Sequence, residues 1–181
     1  MISKLKKLTQ GFTLIETLVA VLILATAIAG PLSIASRGLT TALVAKDQIV
    51  AYYLAQDAVE YIRFARDTNT LAAGDWLTGA GGGATVINLS SCVSTDGCNV
   101  DSAANTVTAC TGATCTNTGI MKFNSTTKTY NTTGTLLPSF TRIIKITGSG
   151  DERQIDVMVS WSDTGSIVRS VNVVESILNW Q

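Results

Sequence analysis

From Phe12 to Ala35 the chain reads FTLIETLVAVLILATAIAGPLSIA, and Glu16 is the only charged residue in that stretch. About twenty apolar residues in a helix are enough to cross the hydrocarbon core of a bilayer. Ahead of the run lies Met1–Gly11, which carries Lys4, Lys6 and Lys7 and no acid. Basic residues flanking a first apolar helix hold that end in the cytoplasm, so the rest of the chain is expected to face outward. The 13 basic and 13 acidic residues balance to zero, but without the first eleven residues ten basic remain against 13 acidic. The charge balance therefore reports orientation rather than a binding partner.

Composition narrows the function classes further. Only 14% of residues are charged, against about 25% in ordinary soluble domains, so a routine cytosolic domain is a poor fit. The absence of histidine removes Ser-His-Asp and Cys-His nucleophilic sites and every His-ligated metal site. A zero net charge gives no electrostatic footprint for nucleic acid. The chain is expected not to be an enzyme, and to need no cofactor and no resident metal.

Three readings of the apolar run compete. It could be an ordinary signal peptide cut at Ala25-Thr26-Ala27 or Ala27-Ile28-Ala29, or a plain membrane anchor. Both leave Glu16 without a purpose, although a carboxylate in hydrocarbon costs roughly 2–3 kcal/mol and usually marks function. The third reading accounts for it. Gly11-Phe12-Thr13-Leu14-Ile15-Glu16, behind a short basic leader and ahead of an apolar run, resembles the processing site of type IV pilins and of the pseudopilins of type II secretion. The close resemblance covers about residues 1–37.

That resemblance implies cleavage between Gly11 and Phe12 by a prepilin peptidase on the cytoplasmic side, with methylation of the new Phe12 amine. It implies a single-pass protein of the cytoplasmic membrane with an extracytoplasmic head, later drawn into a cell-surface or periplasmic filament. Its partners would be other pilin or pseudopilin subunits, the peptidase, the inner-membrane assembly platform and the membrane itself. The stretch from Leu54 to Arg63 loosely resembles minor rather than major subunits, so a minor pilin or pseudopilin is expected. The competing class is a permanently anchored extracytoplasmic binding or adhesive domain that never polymerises. Motility, adhesion, DNA uptake and secretion are not distinguished by these residues.

Physical chemistry gives Glu16 a task under this reading. The mature chain would present an amine at Phe12 and a carboxylate at Glu16, and an unpaired charge in an apolar bundle is strongly unfavourable. The two are i,i+4 neighbours, so an internal pair is open to them. In pilin-like filaments the carboxylate is understood to meet the amine of an adjacent subunit. The alternative is that Glu16 snorkels to the headgroups.

Beyond Arg37, the residues Leu39, Leu43, Val50, Leu54, Ala58, Ile62 and Ala65 recur at three- to four-residue steps, so the helix is expected to continue amphipathically to about Arg66. Gly30-Pro31 is expected to break the helix, since proline lacks a backbone donor and crowds the preceding turn. Either a kink or a segment that melts during filament packing would result.

Residues 67–138 are rich in Thr, Ala, Gly, Ser and Asn, and read as polar and loop-rich. The run Gly79-Ala80-Gly81-Gly82-Gly83 lacks a following Gly-Lys-Ser/Thr and is no phosphate loop, while Trp76 is read as a packing residue. Cys92, Cys98, Cys110 and Cys115 all lie here, and an even count in an outward-facing segment reads as disulfides. Three connectivities exist; Cys92–Cys98 with Cys110–Cys115 is favoured because each closes a short loop. The spacing suits zinc poorly, and there is no Cys-x-x-Cys for redox chemistry. Asp96, Asn99 and Asp101 give a minor calcium reading, although they are ordinary turn residues. The Asn88, Asn124 and Asn131 sequons are what a Ser/Thr-rich chain produces by chance.

Order returns toward the C-terminus. Ile120–Phe123 and Thr127–Tyr130 suit a small hairpin, and Phe140–Thr147, Gln154–Trp161 and Ile167–Ile177 are β-branched runs bounded by turn chemistry. Ile155, Val157, Val159 and Trp161 alternate with polar or mixed neighbours, so one face needs a cover, and the helix stripe is available for it. The expected fold is α+β and pilin-like: leader 1–11, transmembrane and assembly half-helix 12–36, amphipathic half-helix 37–66, loop-rich region 67–138 with pinned loops, and antiparallel sheet 139–181.

Overall fold

The computed structural model describes residues 11–112, 114–116, 118–162 and 167–179. Lys4, Lys6 and Lys7, with the rest of the leader before Gly11, lie outside the described residues. The chain divides into two compact units, residues 1–43 and 44–181.

Helix α1 runs Leu14–Leu71. It continues through Gly30 and Pro31, so the expected break does not end the helix. The physical reason is local: proline withholds one donor, the one the Ala27 carbonyl would take, and the neighbouring turns keep their own bonds. The helix also outlasts its expected end near Arg66. Its last turn closes with Ala73 N–H on the Thr70 carbonyl and Gly74 N–H on the Asn69 carbonyl, with Ala73 in the left-handed region at φ 56°. That is the Schellman arrangement, and it satisfies carbonyls that would otherwise be orphaned. Buried Asn69 fixes the segment after the helix: its Nδ2 donates to the carbonyls of Trp76 and Ile87, and its Oδ1 accepts the Ile87 amide at 2.7 Å.

In the second unit α1 buries Ala51, Leu54, Ala55, Ala58, Val59, Tyr61, Ile62, Ala65 and Asn69, a stripe at three- and four-residue steps. Alanine fills four of its nine positions. The short helix α2 (Ser90–Val93) precedes seven strands: β1 Cys98–Asp101, β2 Thr106–Ala109, β3 Ile120–Asn124, β4 Thr129–Asn131, β5 Leu136–Thr147, β6 Glu152–Ser162 and β7 Val168–Leu178. All of their pairings are antiparallel. β5 is the spine: β6 lies on one side, and β1 and β3 share the other, each continued by its hairpin partner β2 or β4. β7 closes the β6 side as an edge.

Within residues 67–138, read as loop-rich, β3 and β4 form the small hairpin expected there, while β1 and β2 are strands the sequence reading did not anticipate. Those two strands are four residues long each, too short for period-two alternation to stand out. In β6 the alternation is plain: Ile155, Val157, Val159 and Trp161 are buried with the α1 stripe in one core, which also holds Trp76, Leu89 and Met121. Edge-on ring contacts link Phe123 to Tyr130 and Tyr130 to Phe140, and Phe140 continues to Trp161 at 5.9 Å, tying β3, β4, β5 and β6 together.

At the centre of this core lies a charge. Arg142 of β5 is 0% exposed. Its Nε donates to Asn99 Oδ1 at 3.0 Å, and Nη1 donates to the Leu54 carbonyl at 2.7 Å and to Asp57 Oδ2 at 2.9 Å. Nη2 donates to the Val100 carbonyl. One guanidinium therefore joins β5, β1 and α1. Burial pushes its pKa down, and the hydrogen bond and charge of Asp57 push it back up, with a smaller contribution from Asp101. A guanidinium keeps its proton in proteins, so the site holds a cation.

Asp101, at the end of β1, is the second buried polar centre. Its Oδ1 accepts the amides of Ala103 and Ala104, and its Oδ2 accepts both the amide and the hydroxyl of Thr132. Together with Arg142's hold on Asn99, this commits the oxygens of two of the three residues considered for calcium to protein donors. Among the described residues no group of three or more metal-ligating side chains comes together.

Both centres can be tested by substitution. Arg142→Ala should destabilise the head by roughly 3–5 kcal/mol, because it leaves several buried acceptors unpaired at once and removes the partner of half-exposed Asp57. The same change at exposed Lys46 should cost less than about 1 kcal/mol. Urea titration of the full chain in detergent, followed by the fluorescence of buried Trp76 and Trp161, measures both. Asp101 governs the response to acid. Burial works to raise its carboxyl pKa, but the hydrogen bonds from Thr132, Ala104 and Ala103 outweigh it and hold the pKa below the usual carboxylate value. The unfolded chain therefore takes up this proton first, and the stability Asp101 contributes is present above about pH 4 and lost as pH falls through its folded-state value. Asp101→Asn should lower stability at pH 7 by about 1–2 kcal/mol and flatten the acid limb of the stability curve.

Candidate processing and assembly segment

In the described part of the N-terminal unit, Gly11, Phe12 and Thr13 precede the first turn of α1. Thr13 starts the helix. Its carbonyl accepts the Thr17 amide at 3.2 Å, and its hydroxyl oxygen accepts the Glu16 amide at 3.3 Å. This is N-cap behaviour, and Thr13-Leu14-Ile15-Glu16 has the Thr-x-x-Glu form of a capping box. The sequence reading of Glu16 weighed the membrane and neighbouring subunits but not the cap that the Thr13 hydroxyl places on its amide. A carboxylate in the first turn also faces the positive end of the helix dipole.

Every residue from Gly11 to Leu43 is exposed, Phe12, Glu16, Gly30 and Pro31 among them. A side chain added at Gly11 would meet nothing within 4 Å, so packing does not explain that glycine. Phe12 and Glu16 sit on open backbone and on an open first turn, accessible to an enzyme or a neighbour. Leu39 and Leu43, expected on the stripe facing the sheet, are exposed as well; the buried stripe begins at Ala51. The apolar surface of residues 12–43 therefore has no cover within its own unit. α1 is long and apolar enough to cross a membrane by length and composition.

In the second unit the cysteines form two bridges, Cys92–Cys98 and Cys110–Cys115, with Cα–Cα distances of 4.5 and 4.7 Å. They sit at the same end of the β1–β2 hairpin, because Cys98 pairs in register with Ala109 and the Cys110 amide donates to the Gly97 carbonyl. One bridge ties the hairpin to α2, and the other ties it to the next turn of the chain. Cys92 and Cys98 join the main core, whereas Cys110 and Cys115 pack with Ile143 in a small separate cluster. The bridges thus serve loops with little apolar area of their own.

The residue that sequence reasoning missed is Arg142. Its signal was present in FTRIIKIT: Phe140, Arg142, Ile144 and Ile146 share one phase of a two-residue period, and all four are buried. A charge in phase with a buried face requires partners, and Asn99 and Asp57 are those partners.

No curated protein and no solved structure matches the chain. Residues 6–30 match the family described as the prokaryotic N-terminal methylation motif, so the chain carries the prepilin-type processing signal shared by type IV pilins and pseudopilins, placed at the head of a membrane-length apolar helix.

Proposed function

We propose that the chain is a structural subunit, a minor pilin or pseudopilin, of a type IV pilus or type II secretion-like filament. The observation that carries the reading is the coincidence of the methylation motif at residues 6–30 with an apolar helical segment that buries none of its own residues up to Leu43. Such a surface needs lipid or neighbouring helices as cover. Prepilin peptidase would cut between Gly11 and Phe12 and methylate the Phe12 amine. The subunit would wait in the cytoplasmic membrane with its head outside, and the assembly platform would then draw it into the filament. Gly30-Pro31, one helix bond short, is the step at which α1 can open as subunits pack.

Glu16 would switch partners in this scheme. In the membrane it lies in the capped first turn of α1; in the filament it would meet the Phe12 amine of an adjacent subunit. A pair of this kind fixes register more than it adds net stability.

Intact-mass analysis of protein from its own host should give a mature chain that begins at methylated Phe12. A chain that begins at Thr26, Ile28 or Gly30 would mean an ordinary signal peptide and would end this reading, and an intact leader would favour a permanent anchor. With processing confirmed, Glu16→Leu should leave synthesis, cleavage and insertion unchanged while most of the filament-incorporated fraction is lost. Blotting sheared filaments against membranes, in cells that keep the other subunits, reads that loss. Normal incorporation would remove Glu16 from assembly.

A further inference from the structure

Within the head, β7 runs in the same direction as α1. Val171 borders a groove lined by Ala45, Gln48 and Tyr52, Glu175 accepts from Arg63, and the Leu178 carbonyl accepts from Arg66 at 3.2 Å. The start of β7 therefore lies at the end of the head where α1 enters it. β5 starts at the same end, because Phe140, Trp161 and Arg169 stand in register across β5, β6 and β7. So does the β3–β4 turn, since Phe123 pairs with Leu136 and Tyr130 lines a hollow with Val50 and Tyr53. One rim of the head is thus built from the first residues of β5 and β7, the β3–β4 turn and the stretch of α1 that follows Val44.

This rim is apolar and basic together. Among the described residues of the sheet and its borders, the three most exposed large apolar side chains are Leu137, Val168 and Ile167, at 77%, 70% and 57%. All three lie on the rim, with half-exposed Leu136 beside them. A single exposed leucine carries no message, but a group of four at one end does. Lys46, Lys122 and Lys128 lie on the same rim against Asp47. The opposite end carries Asp75, Asp96, Asp151 and Glu152 against Lys145 and Arg153. The head is therefore polarised, and its cationic end is the one where α1 enters.

We propose that this rim rests on the outer surface of the membrane that holds α1, with its four aliphatic side chains among the headgroups and its lysines on anionic lipid phosphates. The inference rests on the membrane-resident stage of the proposed function. Nine residues of α1 separate Ala35, the last of the apolar run, from Val44, about 13 Å at helical rise. The headgroup layer takes up about 5–8 Å of that length. Val168 stands three residues, about 10 Å, from Val171 toward the end where α1 enters. The rim is within reach of the headgroups, and aliphatic side chains beside lysines are the chemistry that an anionic lipid surface holds. Seated in this way, a waiting subunit keeps its head at one tilt, and leaving the membrane includes releasing the rim.

The test uses the full-length chain in vesicles at low protein density. Both native cysteine pairs are bridged, so an introduced thiol alone takes an environment-sensitive fluorophore. Labels go at Leu137→Cys and Val168→Cys on the rim, at Ser149→Cys in the β5–β6 turn, and at Leu24→Cys in the apolar run. In phosphatidylglycerol vesicles, spin-labelled lipid should quench both rim labels several-fold more than the Ser149 label. Phosphatidylcholine in place of phosphatidylglycerol, or Lys46→Glu combined with Lys128→Glu, should remove most of that difference. Tryptophan fluorescence verifies the fold of each variant, and the second rim position serves if the first folds poorly. The Leu24 label reads the anchor separately. If it escapes quenching, the membrane reading and this inference fall together. If it is quenched while the rim labels match Ser149, or if the rim difference ignores lipid charge, this inference is overturned and the filament reading stands.

Discussion

The head is organised around one buried cation. Moving a guanidinium out of water costs several kcal/mol even after relaxation, and only complete hydrogen bonding makes the site tolerable. Arg142 achieves this with groups from three elements: the Leu54 carbonyl and Asp57 of α1, the Val100 carbonyl and Asn99 of β1, and its own position on β5. Asp57 is held in turn by the Ser102 hydroxyl at 2.8 Å. A one-residue slip of β5 would carry the guanidinium to the other face and leave these acceptors bare, so the charge specifies register as well as position. β5 is also the strand on which β1, β3 and β6 all pair, so whatever fixes it fixes the sheet.

The same principle, a buried polar group that must be satisfied in full, explains the connection from helix to sheet. Asn69 uses its amide nitrogen and its oxygen on Trp76 and Ile87, and Asp101 uses both oxygens on two turns. Loops rich in Thr, Ser and Gly bury too little apolar surface to hold themselves. Here they are held by a few side chains that each accept or donate several times, and by two short disulfide loops. Gly97 shows how close the packing is: at φ 79° it brings its backbone so near the Ile144 carbonyl that a Cβ would fall 2.6 Å from it. Glycine is required there by conformation and by space alike.

What the sequence revealed depended on the length of the pattern. The apolar run, the long strands β5, β6 and β7, and the β3–β4 hairpin repeat their signal over enough residues, or carry enough turn chemistry, to be read directly. β1 and β2 offer four residues each, CNVD and TVTA, and they become strands through pairing with each other and through the contact of β1 with β5 rather than through their own pattern. The last turn of α1 was hidden for a related reason: what extends it past Arg66 is a clamp from Asn69 to residues seven and 18 positions away. The break expected at Gly30-Pro31 overstated a local rule, since a missing donor costs one bond while the rest of a long helix stays cooperative. Arg142 was legible in phase but not in partnership, because its partners lie 43 and 85 residues away.

The N-terminal unit poses the opposite problem from the head. The head pairs its core polar side chains Arg142, Asp101 and Asn69 internally, whereas residues 12–43 expose apolar side chains. Lipid tails and apolar helices cover such a surface about equally well, so burial alone gives little preference between bilayer and helix bundle. A transfer from one to the other must be decided by something directional. On the proposed reading, Glu16 and the Phe12 amine are the only ionisable groups at the head of that surface, and their attraction weakens steeply in water and strengthens in a low-dielectric bundle. In lipid each charge must find headgroups, water or an intrahelical partner; in a bundle each can find the other across subunits. The capping geometry at Thr13 holds the Glu16 backbone in one turn of helix while its side chain remains exposed. A carboxylate placed in this way loses little of its intrahelical support when it turns to a new partner, which is the property a subunit needs if it is to be stable in the membrane and still able to leave it.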